Sequence, residues 1–124
     1  MNYLAIDYGS KRVGLAIATE GIIEPILPIK NDTHLFDNLN KIIIDYQIEK
    51  IFVGISEGEF ALQTKKFVNR LESMVRLSVE TTEEAVSTIE AEKIFLTNHK
   101  KKKNYKKNID SISAAVILRR VINS

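Results

Sequence analysis

Cysteine is absent from this 124-residue chain, so neither a disulfide framework nor a thiolate zinc site is open to it. No apolar stretch approaches the length of a membrane-spanning helix, and the first residues lack the basic-then-apolar layout of a secretory signal. The five glycines form neither a Walker-type loop nor a dinucleotide-binding fingerprint. Histidine occurs only as His34 and His99, far apart in sequence, and each is read as a surface residue. Aromatic side chains offer no base-stacking platform beyond Tyr8 and Tyr105, which argues against sequence-specific readout of nucleic acid. What these absences leave is a soluble, cytoplasmic α/β protein, most simply one domain over residues 1–124, large enough to build a core without staples.

Charge is unevenly placed. The net charge is +2, yet residues 100–107, "KKKKNYKK", hold six of the eighteen Lys and Arg. The rest of the chain, with twelve basic against sixteen acidic residues, is mildly acidic. Concentrated lysine suits a polyanionic partner, although a solvated loop without a partner explains the run equally well.

Hydrophobic periodicity orders the elements. Leu4 and Ile6 share one face of a first strand, as Val13, Leu15 and Ile17 do in a second, with a short link at Gly9 between them. The apolar segment from Ile22 to Ile29 carries Pro25 and Pro28, which suit a sheet edge because proline lacks a ladder donor. After "NDT" the period becomes helical, through Leu35, Leu39, Ile42, Ile43 and Tyr46, with Asp32 or Thr33 as the expected N-cap. "KIFVGI" reads as a strand buried on both faces, and a helix follows from Phe60 with Thr64, Phe67, Leu71 and Val75 inward. "RLSVETT" is a fifth strand and "EEAVSTIEAEKIFL" a third helix; the lysine run and a final helix from Ile109 complete the order. Strands joined by short links pair antiparallel, whereas strands joined through helices run parallel. The expected fold is therefore α/β, a mixed five-stranded sheet flanked by helices in the ribonuclease H-like topology.

Acidic residues stand at the ends of these elements. Asp7 closes the first strand, and Glu83 and Glu84 lie where the fifth strand gives way to a helix. Asp110 precedes Ala114, Ile117, Leu118 and Val121 by 4, 7, 8 and 11 positions, which puts it on the inward stripe of the final helix. A carboxylate there is costly unless compensated, and capping its own helix is one compensation. A shared hard divalent cation is another, since Mg²⁺ and Mn²⁺ prefer carboxylate oxygens. Two such ions roughly 3.5–4 Å apart activate a water and stabilise the leaving oxygen of a phosphodiester.

"AIDYGSKRVGLAIA", "VGIS", "EEAVSTIEAE" and "NIDSISAAVIL" resemble the YqgF/RuvX family, relatives of the RuvC Holliday-junction resolvases in the ribonuclease H-like superfamily. The resemblance spans essentially the whole chain. It implies a metal-dependent nuclease, of a kind described as processing pre-16S rRNA or as Holliday-junction resolvase-like. Matched motif by motif, the family's catalytic acids fall on Asp7, Glu84 and Asp110, which the resemblance implies would hold two Mg²⁺ or Mn²⁺ ions. Glu83 is a secondary candidate. Ala85 stands where the family has arginine, Glu83 replaces aspartate, and the loop "SEGEF" is shorter than the family's and lacks its proline.

The expected chemistry is hydrolysis of a phosphodiester by metal-activated water, with Lys11, Arg12, Lys100, Lys101, Lys102, Lys103, Lys106 and Lys107 on the phosphates of structured RNA or branched DNA. Two other readings stand beside it. "DYGS" also fits the first phosphate loop of an actin- or sugar-kinase-like ATPase, although this chain has no room for the second lobe. A non-catalytic nucleic-acid-binding module for ribosome assembly would keep the lysine run without the chemistry. A monomer and a homodimer are equally compatible with the sequence.

Overall fold

Three strands in succession open the fold, and their short links dictate how they pair. β1 (Asn2–Tyr8), β2 (Arg12–Thr19) and β3 (Ile22–Lys30) form an antiparallel meander. Thr19 faces Ile22 across the second link, whose two residues, Glu20 and Gly21, have φ of 52° and 83°. Positive φ at both positions matches the twist of a two-residue hairpin, and glycine adopts it freely. The first link is tight in a different way: a Cβ on Gly9 would run into the carbonyl oxygen of Arg12.

Helices then alternate with strands. α1 (Leu35–Asp45), β4 (Lys50–Ile55), α2 (Phe60–Met74), β5 (Ser78–Glu83) and α3 (Ile109–Ile122) follow in order. The sheet runs β3-β2-β1-β4-β5, with β4 and β5 parallel to the central β1. This is the mixed five-stranded sheet expected from the sequence, and the proline-bearing strand lies at its edge. The computed structural model describes residues 1–55, 60–83 and 109–122. The expected helix over 83–96 lies outside the described residues except at Glu83, whose backbone still belongs to β5. Among the described residues no helix is long and apolar enough to cross a membrane.

Period-2 alternation divides each strand between two helical layers. Leu4, Ile6, Leu15, Ile51 and Val53 pack with Leu35, Leu39, Phe67 and Leu71 from α1 and α2. On the other face Ala5, Ala16, Ala18 and Phe52 meet Ile112, Ala114, Ala115 and Leu118 from α3. Small side chains on both partners let α3 lie close to the sheet. The sequence predicts a single inward stripe on this helix, but the structure buries Ser111, Ile112 and every residue from Ala114 to Leu118, and leaves Val121 only half-buried. Burial all round marks α3 as a core helix.

The start of α1 also differs from expectation. His34 occupies the N-cap and makes no side-chain capping bond. Asp32 acts one step earlier, its Oδ1 accepting the His34 N–H at 2.9 Å in an Asx turn that leads the chain into the helix.

Candidate active site

β1, β4 and β5 run parallel and end at one edge of the sheet, the edge where open α/β sheets bind ligands. Asp7 is the penultimate residue of β1 and is half-buried. Alternation gives it the face of Tyr3 and Ala5, the one packed against α3. Its cross-strand partners are Gly14 on β2 and Gly54 on β4, and Gly54 is in turn opposite Thr82 on β5. One row across this face therefore reads Gly14, Asp7, Gly54, Thr82. Among the described residues the glycine with positive φ is Gly21, so Gly14 and Gly54 are not required there by their backbone angles. Both are buried, and neither places a side chain beside the carboxylate.

Thr82 stands beyond Gly54 in that row. Neighbouring strands lie about 4.8 Å apart, so the backbones of Asp7 and Thr82 are separated by roughly 9.6 Å across Gly54. The Thr82 hydroxyl oxygen is buried and has no hydrogen-bond partner among the described residues. A buried hydroxyl left so costs about 1–3 kcal/mol, which an incoming ligand would recover.

A β-bulge and one serine bring α3 to the same row. Between the pairs Val13–Ile29 and Leu15–Ile26, Gly14 alone stands opposite both Leu27 and Pro28. At this irregularity the Leu15 N–H donates to Ser111 Oγ at 3.1 Å, and Ser111 is wholly buried. The residue before Ser111 is Asp110, the second residue of α3. Its backbone is thereby held beside Gly14, the direct neighbour of Asp7 in the sheet.

The turn after Asp7 is stapled from β3's end. Asn31 Nδ2 donates to the Gly9 carbonyl at 2.8 Å, and the Asn31 N–H donates to the Lys11 carbonyl at 2.9 Å. Lys11 and Arg12 are exposed, and Arg12 opens β2 opposite the exposed Lys30. Alternation puts Arg12 on the same face as Gly14 and Asp7.

Of the acids named from the sequence, Asp7 lies at the end of β1, and Asp110 precedes the serine that bonds Leu15 on the neighbouring β2. Glu83 ends β5 opposite Ile55, at the same edge of the sheet. Glu84, Ala85, Lys100, Lys101, Lys102, Lys103, Lys106 and Lys107 lie outside the described residues, as do the side chains of Glu83 and Asp110. Tyr8, one of the two aromatics left as a possible stacking surface, does not face the site. It projects to the opposite face, where its ring stacks on Phe67 with centroids 4.3 Å apart and on Phe60 at 5.7 Å. Sequence reasoning missed Gly14, Gly54, Thr82, Asn31 and Ser111. The asparagine and the serine were visible only as polar residues beside a turn and a helix start.

The donors suit a hard cation. The Asp7 carboxylate and the Thr82 hydroxyl, which has no hydrogen-bond partner among the described residues, are oxygen donors on one face with a glycine between them, a donor type that suits Mg²⁺ or Mn²⁺. Among the described residues no three His, Cys, Asp or Glu side chains form a ready metal cluster. Any such ion needs further ligands, and Glu84 and Asp110 are the ones the motifs supply.

Antiparallel β1 to β3, parallel β4 and β5, and helices on both faces define the class, a ribonuclease H-like fold of the resolvase type. The fowlpox virus resolvase, solved with its substrate Holliday junction DNA, superposes with a TM-score of 0.66 over 99% of this chain and 97% of that one, at 14% identity. RuvC from T. thermophilus, also in complex with a Holliday junction substrate, gives 0.53 over 98% and 93% at 11% identity. Within that class the sequence is more specific: residues 1–124 match the RuvX family, described as Holliday junction resolvase, and the chain belongs to it. A relative from Sulfurihydrogenibium sp. (strain YO3AOP1), named "Putative pre-16S rRNA nuclease", is 38% identical over 125 residues, covering 93% of this chain and 85% of the relative.

Proposed function

We propose that this chain is a divalent-metal-dependent nuclease that hydrolyses phosphodiester bonds in structured nucleic acid, precursor 16S rRNA first and branched DNA second. The observation that carries the reading is the row of Gly14, Asp7, Gly54 and Thr82, with α3 pinned beside it through Ser111. Asp7 offers carboxylate oxygens from a rigid strand, where geometry is held better than on a loop. Glu84 and Asp110 complete the acidic set by family motif, with Glu83 in reserve, and Thr82 adds a neutral oxygen. Bound Mg²⁺ or Mn²⁺, as a pair of ions, would activate the attacking water and stabilise the leaving oxygen. Gly14 and Gly54 keep side chains of the neighbouring strands away from the Asp7 carboxylate. Lys11 and Arg12, with Lys30 opposite, would hold the backbone at the site's mouth, and the lysines of 100–107 would extend that contact. We place the reaction in the cytoplasm, where ribosome assembly supplies the precursor.

A cleavage panel of precursor rRNA, four-way junction DNA and single strands, each with Mg²⁺ and with Mn²⁺, tests the proposal. Cleavage by the wild-type chain that Asp7→Asn abolishes, with binding retained, is the expected result. Binding without cleavage of any substrate by the wild type would sink the nuclease reading and favour an assembly module instead. Because phosphate contacts release counterions, affinity should fall steeply with salt, by about 0.9 in log–log slope per duplex phosphate contacted.

A further inference from the structure

On the face of the sheet away from Asp7, α1 and α2 leave a cleft of about 340 Å³ at the end of β1. Tyr8, Phe36 and Phe67 form its apolar side, the rings of Phe36 and Phe67 lying 5.6 Å apart. Lys66 and Arg70, one helical turn apart on α2, line it together with Gln63. Both cations are exposed, and among the described residues neither is in an ion pair. Arg70 is already oriented: its guanidinium lies over the Phe36 ring, 4.4 Å from the centroid. The carboxylate in the cleft is Asp32, whose Oδ1 accepts the His34 N–H. Two cations against one carboxylate leave the cleft net positive.

The size and chemistry narrow the ligand. Lys and a planar Arg fork recognise phosphate, and a guanidinium seated over an aromatic ring leaves its outer side for a base to stack on. A space of this size is at the lower end of small-ligand sites, enough for one nucleotide and too narrow for a duplex. The cleft begins at Tyr8, whose Cα is about 3.8 Å from that of Asp7. A strand passing over the end of β1 would meet both.

We propose that this cleft holds one nucleotide of an unpaired strand that continues from the cleavage site. Lys66 and Arg70 bind its phosphate, and Arg70 carries its base. The preferred substrate is then a junction between paired and single-stranded nucleic acid rather than a plain duplex. The identity of the substrate rests on the nuclease reading, but the binding step does not require cleavage.

The test measures affinity of the Asp7→Asn protein, by fluorescence anisotropy, for an RNA hairpin without a tail and with a 5′ or a 3′ oligouridine tail. One of the tails should tighten binding about tenfold. Adding Lys66→Ala and Arg70→Ala should remove that gain, leave the untailed hairpin bound as before, and lower the salt slope for the tailed hairpin by about 0.7. Both side chains are exposed, so a melting temperature near the parent's checks that the fold is intact. No gain from either tail, or a gain that survives the double substitution, overturns the proposal. Should the wild type cut nothing while the tail effect persists and depends on the two cations, the nuclease reading fails and the cleft stands. Cleavage without a tail effect gives the reverse.

Discussion

Ser111→Ala removes one oxygen from the interior and leaves the Leu15 N–H, at the β-bulge, without its acceptor. Ser111 is wholly buried, so water does not replace the lost partner readily. An orphaned buried donor costs about 1–3 kcal/mol. With an unfolding entropy of roughly 2.1 cal/mol/K per residue, the whole chain has about 0.26 kcal/mol/K. The melting temperature should therefore fall by about 4–11 °C. Amide hydrogen exchange locates the effect: the Leu15 amide should exchange faster in the variant than in the parent, while Leu4 and Ile51, on strands that do not bond Ser111, keep their ranking. Because Ser111 also holds the backbone of Asp110 beside Gly14, cleavage should drop more than stability alone explains, on the order of 10-fold or greater. A melting temperature within about 1 °C of the parent, with Leu15 exchange unchanged, would refute the assignment of this bond as the anchor of α3.

Gly9→Ala forces a Cβ onto the Arg12 carbonyl oxygen and should cost about 1–3 kcal/mol, read by urea denaturation. Gly54→Ala puts a methyl between Asp7 and Thr82, and should cut cleavage by roughly 100-fold in a protein that still melts cooperatively. Thr82→Val exchanges an unpartnered hydroxyl for a methyl; thermal melting should show it neutral or slightly more stable, whereas divalent-metal affinity by calorimetry should fall. A Thr82→Val protein with unaltered metal affinity would remove Thr82 from the site.

Much of the architecture could be read from local pattern. Alternation in β1 and β2, the change of period after Asn31, and prolines at positions 25 and 28 each report on a few neighbouring residues, and each came through in the fold. Asp7 was visible for the same reason, an acid at the end of an apolar strand. Gly14, Gly54 and Thr82 were not, because they meet Asp7 only through strand register, a property of pairs far apart in sequence. Thr82 is further disguised by being a good strand former. In α3, Ser111 and Ser113 interrupt the apolar pattern, so a helix buried on nearly every side looks amphipathic. The cap of α1 slipped by one or two residues because Asp32 bonds the backbone before the helix begins, a choice that its side chain makes locally and composition does not reveal.

The bond between Leu15 and Ser111 joins residues 96 positions apart, and that separation has a consequence for biosynthesis. As the chain leaves the ribosome, β1 to β5 are available for pairing long before α3 exists. Ala5, Ala16, Ala18 and Phe52 then form a bare apolar surface until Ile112, Ala114, Ala115 and Leu118 arrive to cover it. At 5–20 residues per second the wait from Phe52 to Leu118 is roughly 3–13 s. A half-made chain is therefore sticky on one side, and it carries Asp7 without Asp110. Under the proposed function, completing the interior and completing the acidic set become one event, and a nascent chain would hold the parts of the site before it could act.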